Sequence, residues 1–180
     1  LSAAPVGDRL QISVKALGDG SSRLARLRPG TRVLIEGPYG RLTAEHRRHP
    51  AVTLLACGIG ITPVRALLDE LHFEPGDATL FYRARTELDL VFRTELEELA
   101  EQRGVTLHLL TGGRHPHRPS WLPGHAPWRD DAQALLDLAP KLRRSDVYIC
   151  GPDDWMDAVL GAALRAGVPR EHVHLESFAW

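Results

Sequence analysis

Two Cys-Gly pairs, Cys57-Gly58 and Cys150-Gly151, mark the residues of this chain best placed to do chemistry. Each follows an apolar run that reads as a buried strand, Ala51 to Ala56 in one case and the residues up to Ile149 in the other. The first pair continues as Cys57-Gly58-Ile59-Gly60-Ile61-Thr62-Pro63. Thr62 is placed to cap a helix, and Pro63 suits its first turn. A strand, a glycine-rich turn and a helix start together present backbone N–H groups and a helix dipole to a phosphate. The usual dinucleotide pattern is G-x-G-x-x-G, and here Pro63 takes the third glycine position, so the turn is a variant. One glycine-rich turn is a weak signal. The second unit, Cys150-Gly151-Pro152 after another apolar strand, makes it a strong one.

An acidic residue about 20 positions past the glycines would bind the ribose 2′-hydroxyl of NAD. That region instead reads Phe81-Tyr82-Arg83-Ala84-Arg85-Thr86. Arginine there suits a 2′-phosphate, because its planar fork pairs with phosphate oxygens. Arg114, after Thr111-Gly112-Gly113, is placed to converge on the same group. The competing reading is that Arg83, Arg85 and Arg114 are solvated charges flanking strands.

The elements that must hold these residues follow from periodicity. After residue 50, apolar strands (51–57, 78–83, 105–111, 146–150, 172–177) alternate with helical segments (63–72, 90–103, 131–139, 154–166). Gly104 and Gly167 stand where helix C-caps belong. Such alternation predicts an α/β fold, a Rossmann-like parallel sheet with helices on both faces and ligands outside the strand carboxyl ends. Before residue 45 the style differs. Leu10, Ile12, Val14 and Ala16 alternate with mostly polar residues as in a half-buried strand, and Thr31–Glu36 reads as a second strand after the Pro29-Gly30 turn. Gly20-Ser21-Ser22 is a candidate start for a short helix carrying Leu24 and Leu27. The boundary gives residues 1–45 to one unit and 46–180 to the other. Residues 112–130, rich in Gly, Pro, His and Trp, read as a long surface loop.

Composition narrows the function. The 180 residues are 43% hydrophobic and 25% charged with a net charge of −1, an ordinary globular balance that gives no sign of a nucleic-acid partner. No apolar run reaches the ~20 residues that span a bilayer. The two cysteines read as buried thiols in a reducing compartment rather than a disulfide. Leu1 is no natural start and Met156 is the only methionine, so the chain is expected to be part of a longer protein. His115, His117 and His125 share one loop but lack matching cysteine or carboxylate spacing, and no metal site is expected there. Trp121 and Trp128 read as anchors of that loop. Arg93 to Arg103 reads as a solvated helix face, with Arg93 and Glu97 an i,i+4 pair.

The segments C-G-I-G-I-T-P, F-Y-R-A-R-T-E-L-D-L-V-F and I-C-G-P-D-D-W-M resemble the nucleotide-binding domain of the ferredoxin–NADP reductase superfamily. Leu1-Ser2-Ala3-Ala4-Pro5 resembles the end of that family's flavin motif, and V-K-A-L-G-D-G-S-S-R-L resembles its flavin pyrophosphate segment. The nearest likeness is to the cytoplasmic dehydrogenase part of membrane ferric reductases and NADPH oxidases. The resemblance implies a chain whose N-terminal part is the end of an antiparallel β-barrel flavin domain. It implies FAD held by Ser2, Gly18, Gly20, Ser21 and Ser22. It places the NADPH pyrophosphate and ribose region on Gly58, Gly60, Ile61, Thr62 and Pro63, and the nicotinamide beside Cys150, Gly151 and Pro152. Glu176-Ser177-Phe178-Ala179-Trp180 resembles the family's acidic-x-aromatic end, with Glu176 near the hydride-transfer locus and Phe178 over the flavin; Trp180 is the competing aromatic. The implied activity is hydride transfer from NADPH to FAD, then single electrons to an acceptor. That acceptor is expected to be a haem in a linked membrane domain, with this part on the cytoplasmic side. The alternatives are a reductase for an iron–sulfur protein or flavodoxin, and a non-catalytic dinucleotide sensor. The Arg-aromatic-Ser half of the flavin motif is absent from the sequence.

Overall fold

The structure is a computed structural model that describes residues 1–16, 18–37, 40 and 42–177. Its centre is β1 (Ala51–Cys57), whose first six residues are all buried. A strand buried on both faces needs neighbours in the sheet and helices above and below it. The neighbours are β2 (Ala78–Ala84), β3 (Val105–Thr111), β4 (Ser145–Gly151) and β5 (Val173–Ser177), in the order β3-β2-β1-β4-β5, all parallel. The order reverses between β1 and β4, which creates a crevice at the carboxyl ends of those two strands. The glycine-rich turn follows β1, and Cys150-Gly151 ends β4.

Alternation along the strands divides the core into two layers. Val52, Leu54 and Ala56 of β1 and Leu80 and Tyr82 of β2 pack with Val64, Leu67 and Leu68 of α2 (Ile61–Glu70) and with Leu96 of α3 (Arg93–Arg103). Leu55, Phe81, Val147 and Ile149 face the other way, onto α4 (Asp131–Leu138) and α5 (Asp153–Arg165). Gly104 closes α3 in the left-handed region, at φ 66°, as its predicted C-cap role requires. The predicted strands and helices from residue 51 onward are all present, with ends displaced by at most three residues.

The N-terminal part departs from expectation. Residues 10–16 and 31–36 form no strand, and Leu10, Ile12, Val14, Val33, Leu34 and Ile35 are exposed. An alternating pattern specifies which face a strand would bury, but a strand exists only where a second backbone satisfies its ladder. Gln11 O accepts a bond from the Ser2 amide at 2.8 Å, but among the described residues no ladder runs along either segment. The short helix does form, as Asp19–Leu24, with no buried residue.

A buried carboxylate ties the connecting segment to the sheet. Asp146 of β4 has no exposed surface, and it accepts hydrogen bonds from the amides of Arg48 (2.8 Å) and His49 (2.7 Å) and from His174 Nε2 (3.1 Å). Burial pushes its carboxyl up, but these donors prevail and hold it below the usual range. A depressed carboxyl contributes stability above its unfolded value, near 3.9, and loses it as pH falls through the folded value. Asp146→Asn is therefore expected to lower Tm by several degrees at pH 7, the cost of weakening buried donors being about 1–3 kcal/mol. The gap between the proteins should close below about pH 4. Thermal melts from pH 3 to 7 test this; a constant gap would mean that the charge of Asp146 contributes nothing.

Candidate active site

The phosphate turn starts with Gly58, whose φ of 57° a side chain would strain, and runs as a 3-10 turn, Gly58–Gly60, directly into α2. The helix consequently begins at Ile61 rather than Pro63, with Gly60 at its N-cap. Thr62 is not the cap. It is the second helical residue, nearly buried, and its hydroxyl donates to Ile59 O at 3.0 Å. Ile61 is fully buried, so its side chain belongs to the core.

Gly60 is required for a different reason from Gly58. A Cβ there would lie 2.3 Å from the carbonyl oxygen of Cys150 and 2.6 Å from its carbonyl carbon. The turn after β1 is therefore seated on the backbone that ends β4. Gly151 is equally close-packed: a Cβ would lie 2.9 Å from Cys57 Cβ and from the Trp155 ring. The two motifs that the sequence separates by some ninety positions are one structural unit.

Cys150 is fully buried on the α2 side of the sheet, whereas Cys57 is half-buried on the α4/α5 side. Both are free thiols. Burial, with the Glu176 carboxylate adding to it, pushes the Cys150 thiol up to about 12, so it is protonated at neutral pH and is no nucleophile. Glu176 sits beside Cys150 in the β4–β5 register. Its Oε2 accepts from the Leu42 amide at 3.1 Å, and a Cβ on Gly40 would come within 2.6 Å of that oxygen. The sequence singled out Glu176 but not Gly40, whose φ of 120° is the signal of this approach.

On the α4/α5 side a cleft of about 990 Å³ opens beyond β1, β2 and β3. Cys57, Arg85, Gly113, Arg114, Pro152 and Trp155 are among its walls. Arg85 is exposed at the rim. Arg114 is exposed too, 3.8 Å from Asp154. Arg83 lies differently from the expected phosphate ligand. It is buried, and its guanidinium donates to the carbonyls of Ala84, Gly112 (2.8 Å) and Gly113 (2.9 Å). Its donors hold the Gly112-Gly113 turn in shape. The loop that follows is anchored by Asp131, which accepts from Arg118 (2.6 Å) and Ser120 (2.8 Å). Trp121 is fully buried, and its indole donates to Asp131 O at 3.0 Å. Among the described residues no group of three histidines, cysteines or carboxylates is arranged to hold a metal.

Residues 54–160 match the family model described as an oxidoreductase NAD-binding domain. Ferredoxin–NADP reductase B of Sorangium cellulosum is 33% identical over 99% of this chain and 76% of its own length. The chain belongs to the ferredoxin–NADP reductase superfamily. A second relative, the ferredoxin reductase component of a 3-ketosteroid-9-alpha-monooxygenase from Mycolicibacterium smegmatis, is 32% identical over 99% of this chain and 49% of its own length. The chain thus spans about half of that relative. Among solved structures, the FAD/NAD-binding domain of a nitric oxide dioxygenase from Vibrio cholerae aligns with a TM-score of 0.57 at 25% identity, over 73% of this chain and 52% of that one.

Relatives in this superfamily use FAD and NAD(P)H. The residues present fit the nucleotide, with a glycine-rich turn at a strand end, a roomy cleft beside it and arginines at the rim. For FAD they supply part of a site. Ser2 is buried, and its hydroxyl has no hydrogen-bond partner among the described residues. Gly18 and Gly20 have open space where a side chain would be. The Ser21 hydroxyl bonds the amide and carbonyl of Gly18, each at 3.0 Å, and the Ser22 amide donates to Gly18 O at 2.9 Å. Phe178 and Trp180, the candidate aromatic covers, lie outside the described residues.

Proposed function

We propose that this chain is the nucleotide-oxidising part of a flavoprotein reductase that takes hydride from NADPH and delivers single electrons to a protein acceptor. The observation that carries this reading is the seating of Gly60 on the Cys150 carbonyl. It brings a phosphate-binding turn and the Cys150–Glu176 corner together at the switch point of the sheet. Bound FAD accepts the electron pair that reduced nicotinamide carries as hydride and releases the electrons singly.

The residues divide the task. The backbone of Gly58 to Pro63 holds the pyrophosphate, and Arg85 and Arg114 hold the 2′-phosphate at the rim of the cleft. Cys150, protonated, small and fully buried, lies beneath the place proposed for the nicotinamide ring, with Gly151 and Pro152 beside it. Hydride transfer depends on close approach and alignment more than on acid–base groups, and a buried neutral thiol suits that role. Glu176 supplies a carboxylate beside Cys150, a charge that favours the cationic oxidised ring. Phe178, outside the described residues, has the role of a flavin cover from the family resemblance alone. Residues 1–45, with Ser2 and Gly18 to Ser22, contribute the end of the flavin domain.

For the acceptor, the monooxygenase ferredoxin reductase component among the relatives favours a ferredoxin-type protein. The motif resemblance to ferric reductases and NADPH oxidases supports the second reading, a haem in a linked membrane domain. No helix among the described residues is long and apolar enough to cross a membrane. The decisive experiment adds NADPH to the protein with and without FAD and follows the flavin absorbance band. Bleaching within seconds in the presence of both is expected. Tight nucleotide binding without bleaching, in protein that has taken up FAD, would instead make the chain a dinucleotide sensor.

A further inference from the structure

We infer that Arg65 is a positioning residue that clips the Ser2–Ala4 segment to α2, and so fixes the flavin side of the site relative to the phosphate turn. The inference rests on the proposed function for its kinetic consequence and on geometry alone for the clip. Arg65 lies one turn into α2, and its side chain is only 16% exposed. Its Nη1 donates to Ser2 O at 2.7 Å and lies 3.6 Å from Asp69. Its Nη2 meets Glu95 of α3 at 3.0 Å, and its guanidinium carbon stands 5.5 Å from the Phe92 ring centre.

The same corner grips the segment a second time. The Ala4 amide points at Asp69 Oδ2 at 3.5 Å, and the Ser2 amide donates to Gln11 O at 2.8 Å. Ser2 is completely buried as a result. Phe92 is the only described non-glycine residue at positive φ, at 61°, so the ring beneath the guanidinium is presented from a backbone few side chains adopt. One helix therefore does two things. Its N-terminal end bears the phosphate turn, and a turn later its flank holds the N-terminal segment through a single guanidinium.

The chemistry asks for arginine. A planar fork reaches a carbonyl on one side and a carboxylate on the other while stacking on a ring; a lysine ammonium is a point charge that cannot do all three. Losing the clip leaves the phosphate turn intact, since Gly60 is held by Cys150 instead. Nucleotide affinity and flavin geometry should therefore separate.

The test compares Arg65→Gln and Arg65→Lys with the wild type in the full-length protein. Exchange of the Ser2 and Ala4 amides, followed by NMR without flavin, is expected to accelerate at least tenfold in Arg65→Gln, with the β1 and β4 amides unchanged. The NADPH dissociation constant should move less than threefold, while single-turnover flavin reduction should slow at least tenfold. Arg65→Lys should recover less than half of either effect. Unchanged Ser2 and Ala4 exchange overturns the clip. Faster exchange with an unaltered reduction rate overturns its positioning role. β1 and β4 amides that exchange as fast as Ser2 would make Arg65 a general stability residue and overturn the proposal. A wild type that binds nucleotide but reduces no flavin overturns the proposed function instead, and the exchange comparison still decides the clip.

Discussion

Gly60→Ala is expected to weaken nucleotide binding more than tenfold and to destabilise the fold by about 1–3 kcal/mol or more, the usual cost of forcing a methyl into packed structure. The new Cβ would lie 2.3 Å from Cys150 O, 2.6 Å from Cys150 C and 3.0 Å from Gly151 N, all of them backbone atoms. They cannot retreat as a side chain would, because β4 is buried along its whole length and laddered on both sides. Backbone strain is not the cause, since Gly60 has a φ of −59° that alanine adopts freely. Gly58→Ala is the informative contrast. Its site is open, with nothing within 4 Å of the added methyl, but its φ is positive. It should cost only the left-handed conformation, about 1–2 kcal/mol. Melting curves and NADPH titrations of both variants measure the difference. Nucleotide affinity as good in Gly60→Ala as in the wild type would show that the seating of the turn on β4 is not what shapes it.

Arg85→Ala is expected to lower affinity for NADPH roughly ten- to a hundredfold, the worth of a charge-assisted pair, and to leave NADH almost unchanged. Arg83→Ala, two positions away, should behave in another manner. Its guanidinium serves the Gly112 and Gly113 carbonyls, so its loss should lower stability and weaken both nucleotides alike. Paired titrations with NADPH and NADH separate the two roles. Equal losses for both nucleotides in Arg85→Ala would remove it from the 2′-phosphate site, and selective loss in Arg83→Ala would put the buried arginine there instead.

These two arginines show where sequence stops being legible. Both stand at the end of a strand where a 2′-phosphate ligand belongs, and residue type does not distinguish them. The end of β2 at Ala84 does. Position 83 continues the face of Phe81, under the loop, while position 85 lies beyond the strand end. From residue 51 onward the fold was readable because apolar runs, helical periodicity and terminal glycines agreed with one another. Thr62 was misplaced because a 3-10 turn inserted before the helix leaves no mark in composition. Residues 10–16 and 31–36 were misread because alternation describes a face without supplying the partner that makes a strand. The Arg65–Ser2 contact spans 63 positions, and no local pattern announces it.

The two thiols stand on opposite sides of the sheet, and that separation extends to everything around them. The walls of the cleft proposed to receive the nucleotide tail belong to the layer of α4 and α5, while Cys150 packs into the layer of α2 and α3. Under the proposed function the sheet is a partition between recognition and reaction, and the two meet at the crossing point of β1 and β4. Arg85 and Arg114 are exposed at the rim, whereas Cys150 is fully buried, so substitutions there touch little of the packing around it. Under the proposed function, coenzyme preference is therefore open to exchange through surface changes that leave the Cys150–Glu176 corner in place.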